Sequence, residues 1–298
     1  MKLGTFEYKE NQFVGVIKDN LIYPVKDLLR GNSDYEGLSD MLSIIEGGKA
    51  VLELIESSLK EKNKDVNAIS ISRAKMLSPI PRPKKNVFCV GRNYIEHVKE
   101  GDRANKVNIG APKKPIFFTK TPTSVIGHEE DIMYPSCTQK LDYECELAVI
   151  IGKKCKDVKK DEVLDCIFGY TILNDVTARD LQDEHSQWFR GKTLDTFCPV
   201  GPYIVTKNEI NWPLNLSMDL SVSGEQRQVM NTQDMIFDVP TIIEQLSSGM
   251  TLEPGDIIAT GTGPGCGFGF DPPKFLQRGD VVEINIEGIG TLRNKVVG

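Results

Sequence analysis

The chain has 298 residues, of which 40% are hydrophobic, so it is long enough to bury a substantial core. Thirty-six lysines and arginines against forty-two aspartates and glutamates give a net charge of -6. This balance excludes the overall positive field that would attract nucleic acid or an anionic membrane surface. We therefore expect a partner that is a small molecule.

Cysteine usage and the apolar pattern point to a cellular compartment. Seven cysteines, an odd number without a C-x-x-C pair, argue against a disulfide framework and against a zinc knuckle. The first ten residues lack the apolar run of a signal peptide, and no run of about 18 apolar residues could span a membrane. The expected location is cytoplasmic, with no membrane partner.

The residues before a proline-rich stretch predict a small α+β unit. Short apolar runs at the start favour an antiparallel meander, and residues 39–46 and 50–59 have helical spacing. Prolines punctuate residues 79–83, where regular structure cannot continue. We predict a small N-terminal domain over residues 1–78 and the main domain over residues 79–298.

A histidine and a glutamate stand three positions apart on the next predicted helical turn, residues 95–100. His97 and Glu100 would share one helical face, where the carboxylate could hold one imidazole nitrogen and leave the other free to take a proton. Surface pairs with this spacing are common, so the spacing alone does not choose between a general base and a solvated pair. Residues 101–114 are polar and punctuated by glycine and proline, which favours a mobile lid.

The stretch from residue 141 to residue 152 has strong strand propensity. Side chains alternate along a strand, so Asp142, Glu144 and Glu146 would lie on one face. Crowded carboxylates destabilise a sheet unless they are solvated or neutralised, and a divalent cation with oxygen ligands neutralises them. Ala148 and Ile150 continue the same face with apolar residues, which favours a metal over a solvated face.

A further strand ends at Asp175. Binding sites of α/β-type units usually form at such strand ends. Thr177 and Asp180 have capping-box spacing, which predicts that a helix starts at Thr177. Arg179 and Gln182 would then share one face of that helix. From the residues alone, Asp175 could either cap the helix or bind a metal.

Two glycine-containing stretches resemble nucleotide-binding motifs, but neither stretch matches its motif. Gly191-Lys192-Thr193 resembles the end of a phosphate-binding loop, but the motif needs a glycine where Ser186 stands. The glycines of residues 261–269 do not match the dinucleotide-binding fingerprint. Lys192 is therefore either a solvated lysine or a cation directed into a site of another kind.

Five motifs occur in a fixed order along the chain, and together they resemble the fumarylacetoacetate hydrolase family. The resemblance covers residues 80–298, and the first 75 residues resemble the small N-terminal extension of some members. The motifs are Gly91-Arg-Asn-Tyr-x-x-His-x-x-Glu100, Asp142-Tyr-Glu-x-Glu-Leu147, Asn174-Asp-Val-Thr-Ala-Arg-Asp-Leu-Gln182, Gly191-Lys-x-x-Asp-x-Phe-Cys-Pro-x-Gly-Pro202 and Gly255-Asp-Ile-Ile-x-Thr-Gly-Thr262.

The resemblance implies a fold, an assembly and a metal. The fold would be α+β and β-rich, a mixed β-sandwich roll preceded by the small N-terminal α+β domain, and the assembly would be a homodimer. Mg²⁺, with Mn²⁺ or Ca²⁺ as alternatives, would be held by Glu144, Glu146 and Asp175. Asp142 would then have a structural role near the metal.

The resemblance also implies catalytic and substrate-binding residues. His97 and Glu100 would activate a water molecule, and Lys192 would stabilise negative charge during the reaction. The residues around the substrate would be Arg179, Gln182, Thr260 and Lys120. The glycine loop departs from the family pattern at Gly263, Pro264 and Cys266, which affects the substrate contacts there.

These assignments predict an enzyme that hydrolyses a carbon–carbon bond of an acylpyruvate or a related β-diketo acid. A 2-oxo carboxylate can chelate a metal with oxygen ligands, and bond cleavage leaves a pyruvate enolate that the metal and Lys192 would stabilise. The same chemistry would serve an oxaloacetate decarboxylase or a 2-hydroxydienoate isomerase. A third hypothesis, a metabolite-binding protein without catalysis, does not explain why all the polar site residues are present.

Overall fold

The structure is a computed structural model that describes residues 1–32, 37–61 and 66–298. These residues form nineteen strands and seven α-helices, and strands dominate, so the predicted β-rich α+β class is confirmed. Among the residues that the structure describes, no helix has both the length and the apolar character needed to cross a membrane.

Strands are the most abundant regular element of the chain. They are β1 (Lys2–Tyr8), β2 (Asn11–Lys18), β3 (Leu21–Pro24), β4 (Ile69–Ser70), β5 (Lys75–Met76), β6 (Val87–Gly91), β7 (Ile116–Lys120), β8 (Val125–Ile126), β9 (Ile132–Met133), β10 (Leu141–Asp142), β11 (Cys145–Ile151), β12 (Ile167–Asn174), β13 (Thr177–Ala178), β14 (Cys198–Thr206), β15 (Ser217–Val222), β16 (Glu225–Asn231), β17 (Ile257–Ala259), β18 (Val281–Ile286) and β19 (Gly290–Val297).

The helices are short, apart from one in the N-terminal part. They are α1 (Val25–Leu28), α2 (Met41–Lys60), α3 (Ile95–Ala104), α4 (Val163–Cys166), α5 (Arg179–Glu184), α6 (Phe189–Lys192) and α7 (Val239–Ser247). Helix α2 joins the two predicted helices in one element, and Gly48, with a φ of 58°, interrupts it between them. A positive φ is adopted readily by glycine, which explains the position of the break.

One large sheet carries most of the fold. Its twelve strands follow the order β4-β3-β2-β1-β14-β12-β11-β17-β6-β7, with β5 paired to β1 and β8 paired to β14. A five-stranded sheet has the order β16-β15-β18-β19-β9, and β10 pairs with β13 in a two-stranded ladder. Strand β1 pairs with β14 through Lys2 and Leu3, so the N-terminal strands extend the sheet of the main part. The division between residues 78 and 79 stays a prediction.

Strand β11 lies inside the large sheet, and both of its faces are buried. All seven of its residues are buried, which agrees with its continuous apolar run. Its odd-numbered residues belong to the core that includes Met218, Leu220 and Ile284 of the five-stranded sheet. Ala148 and Ile150 belong instead to the core beneath helix α2. The polar end of β11 is therefore fixed from two sides.

Two local predictions need correction. The strand predicted over residues 141–152 is interrupted at Tyr143 and Glu144, between β10 and β11. The predicted capping box is wrong, because helix α5 begins at Arg179 and has no side-chain cap. Thr177 lies instead in β13, opposite Asp142, and its hydroxyl donates to the backbone carbonyl of Asp175 at 2.8 Å. Pairing with β10 therefore outweighs the local capping preference.

Candidate active site

Three carboxylates converge where β11 and β12 meet. Glu144 precedes β11, Glu146 lies on it, and Asp175 follows β12, whose residue Asn174 pairs with Cys145 across the ladder. The backbone N–H of Asp175 donates to the carbonyl of Glu144 at 2.9 Å, which fixes the two segments together. All three side chains are buried, and one oxygen of each lies within 4.8 Å of the others. The predicted metal ligands are thus brought together.

Three buried cations contact two of these carboxylates. Lys192 Nζ donates to Glu144 Oε2 at 2.8 Å and to Asp175 Oδ2 at 2.7 Å. Lys120 Nζ donates to Asp175 Oδ1 at 2.5 Å, and Arg179 Nη2 lies 2.6 Å from Glu144 Oε1. Burial alone would raise the pKa of Glu144, but Lys192 and Arg179 hold that pKa below its usual range. Glu144 is therefore ionised.

Glu146 differs from its two neighbours because no lysine or arginine of the described residues pairs with it. Its Oε2 accepts the backbone N–H of Gly261 at 2.8 Å. Burial, followed by repulsion from Asp175 and Glu144, raises the pKa of Glu146 well above its usual range. Within the part of the chain that the structure describes, no paired lysine or arginine therefore neutralises the charged form of Glu146.

A divalent cation fits this donor set. The three carboxylates offer hard oxygen atoms, which Mg²⁺, Mn²⁺ and Ca²⁺ prefer, and a cation beside Glu146 would relieve the repulsion that raises its pKa. The chemistry of these residues therefore fits a metal site. The identity of the metal, including Mg²⁺, stays a prediction.

The raised pKa of Glu146 gives a pH-dependent prediction. A cation must displace the proton that Glu146 holds, so the affinity for Mg²⁺ should fall as the pH falls. The decline should begin above the ordinary glutamate range and approach about tenfold per pH unit, as expected when one proton competes. Isothermal titration with Mg²⁺ or Mn²⁺ at several pH values measures this. Constant affinity down to about pH 5 would contradict the account.

His97 and Glu100 form the contact that their spacing predicts. Both lie on helix α3, and His97 Nδ1 is 3.1 Å from Glu100 Oε2, which leaves Nε2 available. Glu100 Oε1 accepts the backbone N–H of Gly265 at 2.9 Å, so the carboxylate is itself held in place. A Cβ atom at Gly269 would lie 2.1 Å from Glu100 Oε1, so this glycine allows the loop to close over the pair. The predicted helical turn continues to Ala104.

His97, Glu144 and Glu146 line one cavity of about 420 Å³, a size typical of small-molecule sites. Aromatic side chains form part of its wall. Phe118 and Trp188 pack edge to face with ring centroids 5.5 Å apart, and Phe268 packs in the same way on His97 at 5.9 Å. The predicted residues that line this cavity are His97, Glu144, Glu146, Arg179, Gln182 and Lys192.

Arg179 connects the cavity to a structural carboxylate. Its Nε donates to Asp142 Oδ2 at 2.8 Å, and its Nη1 donates to Gln182 Oε1 at 3.1 Å. Its guanidinium also lies over the ring of Phe268, 4.4 Å from the centroid. Asp142 accepts the backbone N–H of Gly267 at 2.7 Å, so it fixes the glycine loop and orients Arg179. This position agrees with the structural role expected for Asp142.

Two predicted substrate-binding residues lie behind the cavity wall. The hydroxyl of Thr260 donates to the carbonyl of Leu147 at 2.9 Å, and Lys120 donates to Asp175 and to the carbonyl of Val176. Both side chains are fully buried, and the described lining of the cavity includes neither of them. Their predicted contact with substrate stays a prediction, and in this structure both hold the site together.

The loop predicted as a lid is anchored by an ion pair that the sequence did not indicate. Arg92 Nη2 donates to Asp102 Oδ1 at 2.7 Å and to the carbonyl of Gly110 at 3.1 Å. The hydrogen bond from Arg92 is the main cause that lowers the pKa of Asp102. Arg92 also lines the cavity, together with Ile109 of the loop. The lid function itself stays a prediction.

Several side chains of the site were not singled out from the sequence. Asn93 Nδ2 donates to the carbonyl of Thr260 at 2.7 Å, and Gln228 Nε2 donates to Thr262 Oγ1 at 2.9 Å. Asn93 belongs to the first family motif, so a residue-by-residue reading of that motif could have found it. Gln228 lies outside all five motifs, and it meets the loop through pairing of distant strands. No sequence signal could have identified Gln228.

Comparisons with known proteins agree with the fold. The family model for the C-terminal part of fumarylacetoacetate (FAA) hydrolase matches residues 86–297. The chain is 44% identical over 305 residues to oxaloacetate tautomerase YisK of Bacillus subtilis. The aligned region covers 99% of this chain and 100% of that protein.

Two solved structures are similar over nearly their whole length. Fumarylacetoacetate hydrolase from Exiguobacterium antarcticum is 40% identical, with a TM-score of 0.83 over 100% of this chain and 99% of that chain. Maleylpyruvate hydrolase from Sphingobium sp. SYK-6, solved with manganese(II) and pyruvate, is 31% identical, with a TM-score of 0.79 and the same coverage. Family match, sequence identity and fold agree with one another: the chain belongs to the fumarylacetoacetate hydrolase family.

Proposed function

We propose that this protein is a divalent-metal-dependent enzyme that interconverts the enol and keto forms of oxaloacetate. The observation that carries the proposal is that one cavity is lined by His97, which contacts Glu100, and by Glu144 and Glu146 of the three-carboxylate cluster. The similarity to an oxaloacetate tautomerase over 99% of the chain supports this choice of reaction. Oxaloacetate was also the substrate of one alternative drawn from the sequence.

The reaction needs one proton delivered to C3 and one removed from the enol oxygen. His97 Nε2 is the group suited to exchange the C3 proton, because Nδ1 is held by Glu100. Glu100 orients the ring and stabilises its protonated form, while the enol proton leaves to water. A divalent cation held by Glu144, Glu146 and Asp175 would supply Lewis acidity at the 2-oxo carboxylate.

Lys192 supports the negative charge that develops on the substrate oxygen. Its ammonium lines the cavity and lies 5.1 Å from the ring centroid of Phe118, in a buried position where an electrostatic contact is strong. Burial opposes its charged form, but Asp175 and Glu144 raise the pKa of Lys192, so it stays protonated. It therefore acts as a fixed positive charge and not as a base.

The cation at the cavity rim gives a prediction about the second carboxylate of oxaloacetate. Arg179 and Lys192 are committed to buried carboxylates, whereas Lys140 is an exposed cation that lines the cavity. Lys140→Met should raise KM for oxaloacetate about fivefold and leave kcat nearly unchanged, because an exposed charge contributes about 1 kcal/mol. Steady-state kinetics measures both constants. Lys160→Met, on the exposed connection before α4, is the control, and equal KM values for the two variants would refute this role.

Hydrolysis of an acylpyruvate is the second candidate, and the similar maleylpyruvate hydrolase favours it. His97 would then activate a water molecule and not protonate carbon. Incubation of the Mg²⁺-loaded protein with oxaloacetate, acetylpyruvate and fumarylpyruvate in parallel separates the reactions. Loss of enol absorbance without release of pyruvate or carbon dioxide is the result expected for a tautomerase. Release of pyruvate from an acylpyruvate, with no effect on enol-oxaloacetate, would overturn the proposal. The predicted homodimer does not depend on either outcome.

A further inference from the structure

A buried thiol stands beside the His97–Glu100 pair, and the proposed reaction does not use it. Cys266 Sγ lies 3.8 Å from His97 Nδ1, and Glu100 Oε2 lies 3.1 Å from the same nitrogen. One ligand atom from each of the three residues lies within 4.8 Å of the others. Cysteine, histidine and a carboxylate are therefore grouped as they are around a protein-bound metal.

The spacing matches a tetrahedral zinc site. Zinc binds sulfur at about 2.3 Å and nitrogen or oxygen at about 2.0–2.2 Å, so tetrahedral ligands lie roughly 3.3–3.6 Å apart. The 3.8 Å and 3.1 Å separations differ from this range by only a few tenths of an ångström. Three ligands fill three positions, and the fourth would remain open to the cavity that His97 lines.

The donor types separate this cluster from the carboxylate cluster. Glu144, Glu146 and Asp175 offer oxygen atoms alone, which suit Mg²⁺. A thiolate and an imidazole select Zn²⁺ or Cd²⁺ over Mg²⁺. A divalent cation with one thiolate, one carboxylate and one neutral imidazole forms a centre without net charge, which is favourable at a buried position.

The surroundings of the cluster would support bound metal. The backbone N–H of Gly265 donates to Glu100 Oε1, which orients the carboxylate. Gln228 Nε2 lies 3.7 Å from Cys266 Sγ and would stabilise a thiolate. Such contacts around ligands typically change metal affinity by about 10- to 100-fold. Gln228 is itself fixed in this position, because its Oε1 accepts the backbone N–H of Cys145 at 2.9 Å.

We propose that His97, Glu100 and Cys266 form a second, inhibitory metal site that takes Zn²⁺ or a softer divalent cation. Binding releases the thiol proton to solvent and draws Glu100 away from His97. With the cation on Nδ1, the neutral imidazole carries its single proton on Nε2, so Nε2 has no free lone pair and the ring can no longer take and return a proton. That the site binds Zn²⁺ is independent of the proposed function. That bound Zn²⁺ inhibits the enzyme rests on the proposed function.

Cadmium provides a test that does not depend on activity. Cd²⁺ bound to thiolate has a charge-transfer band in the ultraviolet, and saturating Mg²⁺ keeps the carboxylate cluster filled. The starting protein should carry Cys137→Ser, because Cys137 is an exposed cysteine that could bind cadmium independently. We expect one equivalent of Cd²⁺ to produce the band in this protein. Adding Cys266→Ser should abolish the band, and adding His97→Asn should weaken cadmium binding at least about tenfold.

Zinc inhibition of enol conversion is the second readout, expressed relative to the uninhibited rate of each protein. The concentration of Zn²⁺ that halves the rate should rise at least about tenfold when Cys266→Ser is added. Absence of the band, or an unchanged band after Cys266→Ser and His97→Asn, would overturn the site. A normal band without inhibition of an active enzyme would uphold the metal site and contradict the role of His97 in the proposed function.

Discussion

Glu146→Gln is expected to abolish metal binding and to lower the rate of enol conversion by about 10³-fold. Glutamine has nearly the same shape and still offers an oxygen to the N–H of Gly261, so the fold should be retained. The substitution removes a buried carboxyl whose charged form is disfavoured by burial and by repulsion from Asp175 and Glu144. In the presence of a chelator, the melting temperature of the variant should therefore equal or exceed that of the unmodified protein.

Addition of metal then separates the two proteins. Mg²⁺ at 100 times its Kd should stabilise the unmodified protein by about 2.7 kcal/mol, while Glu146→Gln should not respond. Differential scanning calorimetry with and without Mg²⁺ measures this difference. Glu283→Gln, on strand β18 of the five-stranded sheet, is the matched control and should respond like the unmodified protein. Full activity of metal-free Glu146→Gln would refute the metal site.

His97→Asn is expected to lower the rate by about 10²- to 10⁴-fold while leaving Mg²⁺ affinity unchanged. Asparagine cannot exchange a proton near neutral pH, but it preserves the polarity of the position. Glu100→Gln should lower the rate less, because glutamine can still contact the ring although it no longer stabilises its charged form. Enol conversion kinetics and isothermal titration with Mg²⁺ provide the two readouts.

The chain contains a matched control for this substitution. It has three histidines, and His185 is exposed at the end of helix α5, where its ring contacts the carbonyl of Leu181. His185→Asn should keep the full rate. A rate loss of similar size in both histidine variants would indicate damage to the fold, and an unaffected rate in His97→Asn would exclude His97 as the proton-transfer group.

Local patterns predicted the carboxylate cluster well because the site is built on one strong strand. Alternation along residues 141–152 placed Glu144 and Glu146 on one face, and Ala148 and Ile150 indicated that this face is buried. The side chains do converge, although the strand is interrupted at Tyr143. Asp175 could be placed only through the family resemblance, because its approach depends on the pairing of β11 with β12.

The contacts between distant segments could not be predicted from local patterns. Thr177 has the sequence of a helix cap, yet its backbone pairs with β10, an interaction that depends on residues 35 positions earlier. Cys266 stood out only as a departure from the family pattern. Its proximity to His97 comes from the fold of the glycine loop, across 169 positions of sequence. Long-range packing decided both cases.

The most direct test of the proposed reaction follows the proton at C3 of oxaloacetate. The Mg²⁺-loaded protein is mixed with enol-oxaloacetate in deuterium oxide, the ketone is trapped by rapid reduction, and deuterium at C3 is measured by NMR. We predict faster formation of ketone than in buffer with Mg²⁺, with deuterium in a single stereochemical position, and loss of both effects in His97→Asn. Ketone formation at the buffer rate, or equal deuterium in both positions, would contradict delivery of the proton by His97.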